Sequence, residues 1–260
     1  TKPAIPTYYS RLYTRNLDSL QAEAQHFKEE GFTGMKLRCG YPMTEGISGL
    51  QKNVEMVRLV RETVGEEVDI MLECYMGFNY TYSARLLKEL EPYNLRWVEE
   101  MLLPDEIHNF AKLKKLTNTP LSGGEHEYTR YGFHDLLQAG ALDIFQFDTN
   151  RVGGFTEAQK ICNMALAHGV EVIPHGGQMH NLHVVMSSFA SPMAEYFPKT
   201  EIEVGNEMFW YIFDGEAIAQ NGMLQLDDNK PGMGLTLKPD YLDQFNIIEH
   251  EAKNRYAGKV

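Results

Sequence analysis

Short apolar runs alternate with amphipathic stretches along the chain, and glycine or proline punctuates each cycle. Eight runs read as buried strands: Ile5–Tyr9, Gly34–Arg38, Asp69–Glu73, Arg96–Glu99, Leu121–Glu125, Asp143–Asp148, Val170–His175 and Ala194–Phe197. Helical spacing lies between them. Leu17, Leu20, Ala24 and Phe27 form one stripe, with Gly31 behind it as a C-terminal stop. Val57, Val60 and Val64 lead to Gly65 in the same way, and Ile107, Phe110 and Leu113 form a third stripe. Thr156 and Gln159 have the spacing of a capping box, and His168-Gly169 reads as the end of that helix.

Alternation of strand and helix implies parallel strands joined by right-handed crossovers. Eight such units predict an α/β fold of the (β/α)8 TIM barrel type. The alternative is a doubly wound open sheet, but no G-x-G-x-x-G follows any strand, so the dinucleotide fingerprint is missing. Residues 1–200 are assigned to the barrel core. Residues 201–260 read as a C-terminal segment of short strands and turns with a final helix near Tyr241–His250.

Composition narrows the function class. The 260 residues carry 24 Lys+Arg against 36 Asp+Glu, a net charge of −12. Such a chain lacks the basic footprint that nucleic acid or an anionic membrane requires. Hydrophobic residues at 43% and charged residues at 23% exclude disordered, collagenous and coiled-coil classes. Cys39, Cys74 and Cys162 are too few for a disulfide framework, and their spacing matches no zinc motif. No apolar run is long enough to span a bilayer, and the first residues lack a signal-peptide layout. The expectation is a soluble, cytoplasmic protein with reduced thiols and no nucleic-acid or membrane partner.

The strand ends hold the candidate chemistry. Strands three to eight bring Glu73, Glu99, Glu125, Asp148, His175 and Glu195, separated by 26, 26, 23, 27 and 20 residues, each about one β/α unit. In a barrel these side chains converge on one mouth. A single Glu at a strand end is ordinarily solvated or a cap, and His126, His180 and His183 taken singly are ordinary loop or core histidines. Convergence changes the odds, because three carboxylates on adjacent strands repel unless a cation sits between them. An oxygen-only set of Glu73, Glu99 and Glu125 suits Mg²⁺. Asp148 and His175 end consecutive strands, so the carboxylate can hold one imidazole nitrogen and leave the other to move a proton; a purely structural His–Asp pair is the alternative. Lys36 and Arg38 share one strand face, and a guanidinium stays protonated, so both neutralise or orient an anion. A base opposite a metal points to proton abstraction α to a carboxylate.

These residues, taken with their motifs, resemble the enolase superfamily in its mandelate racemase-like branch of acid-sugar dehydratases. The likeness runs from about Gly31 to Phe197 and rests on DIMLECYMGFN, WVEE, SGGEHE, IFQFDTNRVGG, VIPHGGQ and SPMAEYFP. The resemblance implies metal ligands at Glu73 (where an Asp is usual), Glu99 and Glu125. It implies a catalytic dyad of Asp148 and His175, with Glu195 beside the substrate carboxylate. His126, Asn150 and Gln178 lie where substrate hydroxyls are read. Where many relatives carry Lys-x-Lys with the second Lys as a base, this chain has Lys36-Leu37-Arg38, which favours a one-base reaction. The implied activity is Mg²⁺-dependent dehydration of a small-molecule sugar acid to a 2-keto-3-deoxy acid, by a homo-oligomer. A racemase or epimerase with the same metal site is a second reading, and an inactive barrel serving binding or assembly is a third. Family members carry an α+β capping domain ahead of the barrel, absent from this chain. A tail built to pack on that cap would otherwise expose Phe209, Trp210, Tyr211 and Phe213.

Overall fold

The computed structural model describes residues 2–199 and 208–241. Strand and helix alternate as the pattern predicts. The strands are β1 (Ile5–Leu12), β2 (Gly34–Arg38), β3 (Asp69–Glu73), β4 (Trp97–Glu99), β5 (Leu121–Gly123), β6 (Ile144–Phe145), β7 (Glu171–Val172) and β8 (Ala194–Tyr196). The helices between them are α1 (Leu17–Glu29), α2 (Gly46–Val64), α3 (Tyr80–Leu90), α4 (Ile107–Leu113), α5 (Thr129–Ala139), the one-turn α6 (Thr149–Val152), α7 (Gly154–Ala167) and α8 (Met179–Ser187). Among the described residues no helix is long and apolar enough to cross a membrane.

The strands pair in parallel in chain order from β1 to β7, and β8 returns to β1 with Thr7 opposite Ala194 and Tyr9 opposite Tyr196. That pairing curls the sheet into the (β/α)8 barrel. No ladder joins β7 to β8 among the described residues; the seam is bridged where Val172 N–H donates to Ala190 O at 2.9 Å.

Side chains alternate across each strand, so the barrel makes two apolar layers. Outward-facing Met35, Leu37, Ile70, Leu72, Val98, Phe145 and Val172 pack beneath the helices. Inward-facing Tyr8, Met71, Trp97, Ile144, Ile173 and Met193 form a separate plug inside the barrel. Met71 stands opposite Trp97 in the ladder, and the Tyr8 ring meets Trp97 edge-on at 5.3 Å. The helices follow their stripes. Asn16 opens α1 by accepting from Ser19 N–H at 2.9 Å. Helix α2 buries Leu50, Met56, Val57, Val60 and Val64 and stops at Gly65, whose φ of 75° suits glycine.

Three expectations need correction. The ladders of β5, β6 and β7 end earlier than the apolar runs, so Glu125, Asp148 and His175 lie two to three residues beyond the last paired position. The Thr156–Gln159 capping box does not form. Gly153 and Gly154, with φ of 115° and 79°, swing the chain out of α6 and directly into α7, so Thr156 already lies inside the helix. The tail aromatics Phe209, Trp210, Tyr211 and Phe213 are half-buried rather than exposed. Trp210 donates its indole N–H to Phe197 O at 3.0 Å, and Phe209 stacks on Phe213 with centroids 5.9 Å apart. This segment contains α9 (Phe209–Ile212), β9 (Phe213–Asp214), β10 (Met223–Leu224) and β11 (Thr236–Leu237). Strand β10 pairs antiparallel with the start of β1, and β11 pairs with β9. The helix expected near Tyr241–His250 falls outside the described residues, apart from Tyr241 itself.

Candidate metal centre and acid–base pair

Ladder register assembles the carboxylates. Arg38 stands opposite Glu73, and Glu73 opposite Glu99, all on the inward face. Glu125 reaches the same point by way of Gly124, whose φ of 115° turns the chain over the barrel rim. One oxygen from each of Glu73, Glu99 and Glu125 lies within 4.8 Å of the others, and all three residues are buried. Lys36 is the nearest cation, with Nζ 2.7 Å from Glu99, 2.7 Å from Glu195 and 3.7 Å from Glu73. Its own burial opposes a charge, but Glu195 and Glu99 outweigh that and hold it protonated.

Arg151 Nη1 lies 3.2 Å from Glu125 Oε1. Lys36 and Arg151 are thus in contact with four carboxylates, Glu73, Glu99, Glu125 and Glu195, and the set stays short of positive charge. Glu99 has the richest donors: Lys36 on Oε1, and Trp97 Nε1 and Gln146 Nε2, each at 2.9 Å, on Oε2. Burial pushes Glu99 up, yet the Lys36 charge and hydrogen bonds with Glu73, Lys36 and Trp97 hold its carboxyl down at about 2. Glu73 goes the other way, raised by burial and then by the neighbouring Glu99 charge. Crowded, buried, oxygen-only donors short of positive charge fit a hard divalent ion such as Mg²⁺. No Cys or His belongs to the triad, so the set does not suit zinc.

Asp148 serves two structural purposes. It caps α6, accepting from Asn150 N–H at 2.7 Å, and its other oxygen lies 3.2 Å from His175 Nδ1. Burial disfavours its charge, but His175, Asn150 and Arg151 together lower it. His175 is 7% exposed, and its Nε2 lies 3.2 Å from Glu125 Oε2. Burial lowers the imidazole, but the Asp148 hydrogen bond and the Glu125 charge raise it overall. Asp148 thus fixes Nδ1 and leaves Nε2 turned toward the carboxylate triad. Glu195 is held by Ser10 O–H at 2.6 Å, by Gly176 N–H and by Lys36.

The remaining predicted residues ring this centre. Arg38 is stacked between the Tyr13 and Tyr75 rings at 4.6 and 4.8 Å, and its buried Nε has no hydrogen-bond partner. His126 Nδ1 pairs with Glu100 at 3.1 Å, and its Nε2 is 3.6 Å from Glu125. Asn150 meets His180 Nε2 at 2.8 Å, whereas His183 is turned outward to Met233 O. Gln178 is buried at the start of α8 and accepts from Asn181 at 3.3 Å. Sequence reasoning missed Ser10, Trp97, Glu100, Gln146 and Arg151. Gln146 was readable, since it lies two residues before Asp148 on the same strand face. Ser10 was lost because the first strand runs on to Leu12 rather than stopping at Tyr9.

Comparison with known proteins gives a consistent result. A family model described as enolase C-terminal domain-like matches residues 19–241. The chain is 38% identical over 219 residues to an L-rhamnonate dehydratase of Saccharopolyspora erythraea, covering 82% of this chain and 55% of that protein. It is 38% identical over 220 residues to a protein of Caldivirga maquilingensis described as a putative L-rhamnonate dehydratase, covering 83% and 54%. The crystal structure of rhamnonate dehydratase from Gibberella zeae complexed with Mg superposes with a TM-score of 0.81 at 34% identity, covering 94% of this chain and 58% of that one. The chain therefore spans about half the length of the curated relatives it matches.

Proposed function

This chain belongs to the enolase C-terminal domain-like family, and from that premise we propose that it is the barrel, with residues 1–200 as its core, of a Mg²⁺-dependent dehydratase acting on a sugar acid such as rhamnonate. The observation that carries this reading is the geometry around Glu125. Glu125 offers an oxygen to the triad, and its Oε2 lies 3.2 Å from His175 Nε2.

Glu73, Glu99 and Glu125 would hold the cation. Once bound, it supplies positive charge where the substrate carboxylate gains negative charge as its α-proton departs. His175 Nε2 takes that proton, and Asp148 stabilises the resulting imidazolium while keeping the ring in place. The same Nε2–H then delivers the proton to the departing β-hydroxyl, which leaves as water, and the enol product relaxes to the 2-keto-3-deoxy acid. Lys36 holds Glu195 and Glu99 in register. Arg38 contributes charge without accepting a proton, so the second strand offers no base to the opposite face of the α-carbon, which sets dehydration above racemisation. His126, Asn150 and Gln178 are assigned to the substrate hydroxyls.

The test is His175→Asn in the full-length protein, assayed for 2-keto-3-deoxy acid on a panel of aldonates. A loss of about 10²–10⁴-fold is expected for removal of a general base. Activity at the wild-type rate removes His175 from this role. Exchange of the α-proton in D₂O without net dehydration selects an epimerase instead.

A further inference from the structure

Two thiols meet behind the carboxylate cluster. Cys39 Sγ and Cys74 Sγ are 3.8 Å apart at the ends of β2 and β3. Their placement follows from strand register. Arg38 faces Glu73 in the last paired position, and Cys39 N–H donating to Glu73 O at 2.9 Å carries the ladder one step further. Cys39 and Cys74 are thus the next neighbours on adjacent strands. Such strands lie about 4.8 Å apart, inside the roughly 4.4–6.8 Å window of Cα separations that a disulfide needs. Alternation turns both thiols outward, toward the helices, while Arg38 and Glu73 point in. Cys74 is buried in the helix-facing core, and half-buried Cys39 packs against it from the solvent side.

We infer that Cys39 and Cys74 form a reversible oxidation site, closing to a disulfide on exposure to hydrogen peroxide and thereby weakening divalent-cation binding at the neighbouring carboxylates. The chemistry balances without further reagents. Cys39, the reachable thiol, attacks one peroxide oxygen as its thiolate, becoming a sulfenic acid and releasing hydroxide. Cys74 Sγ then attacks the Cys39 sulfur, the S–O bond breaks, and the departing oxygen takes the Cys74 proton and leaves as water. Two thiols are oxidised, and one peroxide is reduced to two waters. Cys74 is buried and Cys39 only partly so, which gives the peroxide access to Cys39 first.

The coupling to the metal centre is a matter of backbone position, and it rests on the reading of Glu73 and Glu99 as metal ligands. Bond formation draws the two sulfurs from 3.8 Å to about 2.05 Å. Cys74 directly follows Glu73, and its N–H donates to Glu99 O at 3.0 Å. The next N–H, of Tyr75, donates to the Glu73 carboxylate. Tyr75 and Met76 both have positive φ, 45° and 59°, so the turn that returns this N–H to Glu73 is tightly set. Pulling Cys74 toward Cys39 therefore moves both carboxylate-bearing strands at their rim, and a displacement of this order is enough to degrade a site built for octahedral geometry.

The experiment treats the full chain with hydrogen peroxide and follows it by intact mass, by peptide mapping and by calorimetric titration with MgCl₂. The expected result is loss of two hydrogens, a Cys39–Cys74 linked peptide, Mg²⁺ affinity reduced at least about tenfold, and full recovery with dithiothreitol. Cys39→Ser is expected to bind Mg²⁺ normally and to keep that affinity under peroxide. Cys74→Ala provides a second check should the serine variant fold poorly. Oxidation that stops at Cys39, or that links two chains, overturns the site. A clean intramolecular disulfide with unchanged Mg²⁺ affinity overturns the coupling. A reduced protein that binds no Mg²⁺ overturns the metal reading while leaving the disulfide in place.

Discussion

The inside of the barrel is two different materials stacked one above the other. Below, Tyr8, Met71, Trp97, Ile144, Ile173 and Met193 fill the space with apolar side chains packed by shape. Above, Lys36, Glu73, Glu99 and Glu195 occupy equally buried positions but are held by charge. The strands that build the two layers are continuous: Lys36 is the register partner of Met71, and Trp97 lies two residues before Glu99. Trp97 even joins them, since its ring packs in the plug while its N–H reaches Glu99. The lower layer is stable as it stands. The upper layer is stable only while its charges balance, which is the condition of a binding site rather than of a core.

The sharpest way to break this contrast is to remove the upper layer's cation. Lys36→Met leaves Glu99 and Glu195 buried without their ammonium, and a loss of about 3–5 kcal/mol is expected from denaturant unfolding without metal. Mg²⁺ should restore more stability to this variant than to the wild type. A Lys36→Met protein as stable as wild type would show that charge does not hold this layer. In the plug, Met71→Ala should cost about 2–5 kcal/mol by opening a cavity, with the same deficit whether or not Mg²⁺ is present. A deficit that varies with Mg²⁺ would merge the two layers.

Metal linkage comes next in size. Wild-type protein at Mg²⁺ one hundredfold above its dissociation constant should gain about 2.7 kcal/mol. Glu73→Gln should gain much less, and an equal gain in thermal unfolding experiments would place the ion elsewhere.

The smallest expected effect lies outside the barrel, at Glu216. This half-buried carboxylate caps α8 by accepting from Met179 N–H at 3.0 Å, while its other oxygen has no partner. Burial pushes it up to about 7. A carboxyl raised above its unfolded value favours the folded state when protonated, so this contribution falls as pH climbs from about 4.5 to 7. Glu216→Gln should be flat across that window and about 1 kcal/mol more stable than wild type above it, after discounting for solvent screening. Parallel pH curves for the two proteins would remove Glu216 from the account. The contrast with Glu99 is instructive: a neighbouring ammonium charge with hydrogen bonds brings one buried carboxyl down, and a single backbone donor leaves the other up.

Much of this was legible in the chain itself. The apolar runs and glycine stops located eight strands, because buried parallel strands must be apolar and short and their helices must end somewhere. Spacing by one β/α unit was enough to gather Glu73, Glu99, Glu125, Asp148, His175 and Glu195 at one mouth. Strand ends were less readable at β6 and β7, since the buried Phe147 and Ile173 continue the apolar run past the last paired residue. Glu100, directly after the β4 end, gains its place only from its positive φ of 44° and its contact with His126.

What the sequence determined by itself is therefore periodic: which residues are strand, which are helix, and which side chains share a face. What the tertiary structure decided is the pairing of groups far apart along the chain. Lys36 is committed to the protein's own carboxylates, Arg38 is clamped between two tyrosines, and Cys39 lies against Cys74. Periodicity is a property of the local backbone and is written in neighbouring residues. The balance of charge at a buried point depends on distances across strands, which exist only once the barrel has closed.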